Sequence, residues 1–216
     1  MQKSKHSRSR SQKQLARPKA QRQLYDRVLI VSEGSKTEPN YFEEIRQQNS
    51  IPTLHVKVLP SSYGTQPRQV VNCAEDIATK TKAYERVYAV FDRDDHSTYH
   101  DALNRSAALN GKLRNDNGSP VYFAAIPSVA CFELWLLLHY EEVCTFQDRK
   151  ITVERLKCYL PDYAKGSTGI YKLTEPNLST AVQRAQWLRQ HFHAHTGTDP
   201  FTSVDEVVEL LRSMRK

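Results

Sequence analysis

The sequence predicts an α/β protein: a mainly parallel, four-stranded sheet flanked by helices, with a helical extension at its C-terminal end. Short apolar runs alternate with longer helical stretches up to about residue 142, the order produced by parallel strands joined by crossover helices. Two of those runs stop at acidic residues, which marks them as strands entering functional turns. After Glu142 the strand signals stop and polar helical stretches take over.

Taken in order, residues 28–31 (VLIV) read as a buried strand that ends at Ser32-Glu33-Gly34. Residues 36–48 read as a helix with Tyr41, Phe42 and Ile45 on one face; Pro39 falls in its first turn, where a missing N–H does least harm. Residues 54–59 (LHVKVL) alternate apolar and polar side chains as a second strand does, and 66–83 form a helix with Val70, Val71, Ala74, Ile77 and Ala78 inward. The third strand, 86–91, runs into Asp92-Arg93-Asp94-Asp95. A polar helix at 98–110 and a fourth strand at 121–126, ending at Pro127, follow. Residues 130–140 (ACFELWLLLHY) read as an apolar helix with Glu133 in its first turn. Three polar helices are expected at 152–159, 179–195 and 204–214, the last opened by a Ser203/Glu206 capping box, while 161–176 reads as loop. The expected organisation is a tail at 1–22, an α/β domain at 23–142 and a helical part at 143–216 packed on it.

The net charge of +7 is concentrated in the tail. Residues 1–22 carry eight Lys or Arg and no acid; removing those eight from 31 leaves 23 basic residues against 24 acidic ones. Such a segment cannot bury enough apolar surface to fold alone. It reads either as an arm for a phosphate backbone or as a solubilising leader. No run of roughly 18 apolar residues spans a membrane, no secretory leader is evident, and the four cysteines follow neither CxxC nor His/Cys spacing. A cytoplasmic protein with reduced thiols is expected.

Glu33 and Asp92 each end a strand, and adjacent parallel strands would bring Glu33 beside Asp92 and Asp94. Carboxylates crowded without a cation raise one another's pKa, and a divalent ion reverses that penalty. All-oxygen ligands select Mg²⁺ or Mn²⁺ over zinc. On extended chain Asp92 and Asp94 point the same way. Each acid also has a plainer reading: Glu33 as a turn residue, Glu38 and Glu133 as first-turn helix acids, Asp92 and Asp94 as an ordinary DxD loop, with Asp95 able to replace Asp94. The conjunction of two strand-end sites favours metal. Gly34-Ser35-Lys36-Thr37 is not a nucleotide loop, since Ser35 separates Gly34 from Lys36 and no glycine precedes Gly34. His139 is expected to be packed locally, and His191 with His195 fits a metal pair or a helix-end charge.

The stretches VLIVSEGSKTEPNYF, VYAVFDRDD and AIPSVACFELWLLLHYE together resemble the RloB-like family, a bacterial group associated with restriction–modification genes and abortive-infection phage defence. The resemblance covers most of residues 26–142 and extends to about 195 through Tyr163-Ala-Lys-Gly, Tyr171-Lys172 and Pro176-Asn177. It implies a core similar to the Toprim fold, the metal-binding module of topoisomerases, bacterial primases and OLD-type nucleases. Glu33 then matches the Toprim glutamate, Asp92 and Asp94 its DxD, Glu38 an extra acid of OLD-like nucleases, and Glu133 a further acid. Ala130 departs from the polar residue of many relatives. The resemblance also implies a separate ATPase partner.

The expected function is a Mg²⁺- or Mn²⁺-dependent nuclease, a toxic effector cutting RNA (tRNA included) or DNA. Glu33, Asp92 and Asp94 would hold the metal, with Glu38 and Glu133 as further ligands; Glu33 could instead act as general acid or base. Lys165 or Lys172 would reach the phosphate, and Lys36 and Arg93 are close in sequence. The alternative is a catalytically silent nucleic-acid-binding or regulatory subunit of the ATPase. A primase-type transferase would need a triphosphate site that no added domain supplies.

Overall fold

The computed structural model describes residues 25–215, so the basic segment at 1–22 lies outside the described residues. Strand β1 (Val28–Ser32) is buried along its whole length. Its side chains alternate: Val28 and Ile30 enter one apolar cluster, Leu29 and Val31 the other. Helices cover both faces, which is why the run is continuously apolar. On the first face lies α1 (Thr37–Gln48), through Tyr41, Phe42 and Ile45. On the second lie α2 (Pro67–Thr81) and α3 (Tyr99–Leu109), through Val70, Val71, Ala74, Tyr99 and Ala102.

Strands β2 (Val56–Pro60), β3 (Arg86–Asp92) and β4 (Tyr122–Val129) complete the parallel part, in the order β2-β1-β3-β4. The sheet has five strands, not the expected four: β5 (Phe201–Thr202) pairs antiparallel with the end of β4. Two residues carry no readable periodicity, and their pairing is visible only in three dimensions. β4 also runs past Pro127, whose carbonyl accepts from the Ser203 N–H (3.3 Å) and so stays in use although the proline has no donor.

Four helical expectations are corrected. Only Glu133–Leu137 of the 130–140 stretch is α-helix (α4), because both ends tighten into three-residue bonds, Leu134 to Cys131 and Tyr140 to Leu137. The region expected as loop contains α6 (Ile170–Thr174), whose first N–H groups are held by the Glu44 carboxylate of α1. Before α8 (Val204–Ser213) the capping box is absent: the Ser203 hydroxyl is buried without a partner, and Glu206 faces Arg189 at 3.7 Å. Helix α7 (Leu178–His191) ends before His195, so the two histidines share no helical face, and His191 stacks on Trp187 at 4.0 Å.

Helix α5 (Arg149–Tyr159) begins three residues before the expected start, at 152, because the Asp148 side chain accepts from the Ile151 N–H (2.8 Å). That puts Arg149 at the first helical position. Trp135, fully buried, donates to the Tyr41 hydroxyl at 2.9 Å and ties α4 to α1. All four cysteines are free. No helix of the described residues is long and apolar enough to cross a membrane.

Candidate metal centre

The C-terminal ends of β1 and β3 are neighbours because their strands are paired in register, Ser32 opposite Val90. One further bond, from the Glu33 N–H to the Val90 carbonyl (2.8 Å), carries the ladder to Glu33. The Glu33 carboxylate then accepts from the Asp92 N–H through Oε2 (2.9 Å). The strand-end acids thus meet at one rim. Asp92 is buried, 3% exposed.

Asp94 reaches the same place by a different route from the one expected. The chain leaves strand geometry after Asp92, and Asp94 has φ +33°, held there by its N–H on the Ala130 carbonyl (3.1 Å). The turn, not the alternation of an extended chain, aims both aspartates inward. Asp95 stays exposed.

Glu38 and Glu133 close the cluster from the helices. Glu38 is 5% exposed and its Oε2 has no hydrogen-bond partner. Glu133, 6% exposed, accepts from the Tyr163 hydroxyl at 2.9 Å. Burial pushes the Asp92 carboxyl well above the usual carboxylate range, and the charges of Glu38 and Glu33 push it further. Burial also raises Glu38, Glu33 and Asp94. Such a set favours a bound cation, and carboxylate oxygens select a hard one. A buried oxygen without a donor fits the same demand. The residues present therefore fit Mg²⁺ or Mn²⁺.

Two members lie outside the pair of strand-end signals. His96 stands with Glu33 and Asp94 in a group whose ligand atoms all lie within 4.8 Å of one another. Its place two residues after Asp94 was the available clue. Arg149 pairs with Asp92 and, at 2.8 Å, with Asp94. Nothing near position 149 announces this.

The basic residues divide. Lys165 lies in a hollow of ≈ 270 Å³ with Glu133 and Arg149, and its charge favours the ionised forms of Glu38 and Asp94. The turn that carries it is fixed to α1: the Gly166 N–H donates to the Thr37 hydroxyl (3.0 Å) and Asn40 donates to the Gly166 carbonyl (3.0 Å). Lys36 is exposed, with its methylenes against Gly166. Arg93 turns from the acids, lies over the Tyr99 ring at 5.4 Å and donates to the Asp94 carbonyl (2.5 Å). Lys172 is exposed on α6 and has no hydrogen bond or ion pair to the acids among the described residues. His139 is buried against Trp135, and burial lowers its pKa to about 4.

Glu38 allows a test without substrate. Its pKa is raised in the fold, so its contribution to stability is full below the unfolded carboxylate pKa and is lost as pH rises through the folded value. Above that value the ionised group is a cost. In EDTA, Glu38→Gln is expected to melt roughly 2–4 °C above the parent near neutral pH, the shift expected for about 1 kcal/mol in a domain of this size. The gap should close in mild acid and reverse with Mn²⁺. Thermal melts across pH check this; a gap that is independent of pH contradicts it.

Fold and site together define a class: α/β proteins that gather carboxylates at the C-terminal rim of a mostly parallel sheet. The chain belongs to the RloB-like protein family, whose sequence profile matches residues 28–211. No curated protein and no solved structure matches it.

Proposed function

We propose that this protein is a divalent-metal nuclease with a Toprim-like core, the toxic effector of an anti-phage abortive-infection system. The observation that supports the reading best is the convergence of Glu33, Asp92 and Asp94 beside a buried Glu38 oxygen without a donor. A bound Mg²⁺ or Mn²⁺ would supply charge neutralisation at a phosphodiester and a more acidic water. Glu33, Asp92 and Asp94 would hold it, with Glu38 and Glu133 as further oxygen donors. Glu33 Oε2 is taken by the Asp92 N–H, which leaves Oε1, 3.6 Å from His96, as the atom that can hold or release a proton. Lys165 would meet the remaining phosphate charge. The substrate is RNA (tRNA among the candidates) or DNA, and the partner is a separate ATPase.

One observation favours the second reading, a silent subunit of that ATPase: Arg149 already neutralises both aspartates. Purified protein, with and without the ATPase, incubated with labelled tRNA and plasmid DNA in Mg²⁺, Mn²⁺ or EDTA separates the two. Cleavage is expected with metal only and is lost in Glu33→Ala. Cleavage that persists in EDTA and in that variant removes the nuclease reading.

A further inference from the structure

The geometry points to Arg149 as the phosphate-binding residue of this centre, held on Asp92 and Asp94 until a divalent cation takes those oxygens. The inference rests on the metal-dependent reading above and adds the residue that engages substrate.

Three observations carry it. The guanidinium bridges the two carboxylates that a divalent cation would need, so the two cations compete for the same oxygens. The backbone of Arg149 is fixed at the capped start of α5, while its side chain is 39% exposed and, among the described residues, is held only by its pairs to the two aspartates. Arg149 also lines two hollows at once. One, ≈ 510 Å³, includes His96, Phe146 and Lys150; the other, ≈ 270 Å³, includes Lys157, Tyr163 and Lys165. A guanidinium leaving the aspartates therefore has two hollows to enter, where Lys150, Lys157 and Lys165 stand among the acids Asp94, Asp95, Asp148 and Glu133. Its planar fork suits two phosphate oxygens better than any of those lysines does. A purely structural bridge would explain the ion pairs but not the position between both hollows.

Titration calorimetry with Mn²⁺ alone, on the full chain, provides the first readout. Arg149→Gln removes the competitor, and Mn²⁺ affinity is expected to rise about tenfold, the equivalent of one charged hydrogen bond. Anisotropy of a fluorescein-labelled single-stranded RNA, with Ca²⁺ replacing Mn²⁺, provides the second. There Arg149→Gln is expected to weaken binding about tenfold and to lower the salt slope by about one. Arg149→Lys keeps the charge but loses the fork, so RNA binding should fall several-fold with Mn²⁺ affinity near the parent's. Unchanged RNA binding in either variant, or weaker Mn²⁺ binding in Arg149→Gln, overturns the inference. If Arg149→Gln does not fold, the lysine variant decides alone. A parent protein that binds no Mn²⁺ overturns the metal centre itself, a result distinguishable from the others.

Discussion

Asp92→Asn is expected to abolish metal-dependent cleavage, a loss of about a thousandfold or more, while the fold survives. The loss follows from charge: the cation that Asp92 would help hold is worth several kcal/mol against the developing phosphate charge, and a neutral amide of the same shape holds a divalent ion far less well. Survival follows from where the bonds lie. The contact from residue 92 to Glu33 is made by the backbone N–H, which the substitution keeps. Arg149 retains Asp94. Burial and the neighbouring acids already push the Asp92 carboxyl towards its neutral form, so a neutral side chain there costs the metal-free protein little. Mn²⁺ calorimetry, cleavage assays and melts in EDTA should together show lost binding, lost cleavage and a melting temperature within a few degrees of the parent. Cleavage at the parental rate would remove Asp92 from the centre.

The rim was legible because two local signals shared one geometric consequence. Residues 28–31 and 87–91 are apolar enough to be buried strands, each ends at an acid, and parallel neighbours put their C-terminal ends together. That logic reaches Glu33 and Asp92 but not what surrounds them. Asp94 arrives through a turn with positive φ that no periodicity encodes. Arg149 arrives through the docking of α5, and 56 positions separate it from Arg93, the arginine that sequence proximity favoured; Arg93 is instead spent on Tyr99. The same distinction explains the lysines. Lys165 is placed by a turn pinned to Thr37 and Asn40, whereas Lys172 sits on a helix whose bonds go to Glu44, further along α1. Long-range contacts that depend on one or two side chains leave no periodic trace, as the two-residue β5 also shows.

Gly34→Ala is expected to weaken Mn²⁺ binding by about 10–100-fold, the range for groups that position a ligand, with little change in melting temperature. A Cβ at this position would lie 2.0 Å from Glu38 Oε2 and 2.8 Å from Oε1, so the carboxylate must move. That atom is the free end of a flexible side chain, which makes the movement cheap for the fold but decisive for the place it occupies. Gly34 does not have positive φ, so alanine adds no backbone strain there to confuse the result. The double variant sharpens the test. If Gly34 matters only because it makes room for the Glu38 carboxylate, then Gly34→Ala added to Glu38→Ala should cost nothing further, the non-additivity of two changes acting through one contact. Calorimetry on the four proteins measures this directly. Losses that simply add would show that the turn after β1 serves the centre by some route other than Glu38.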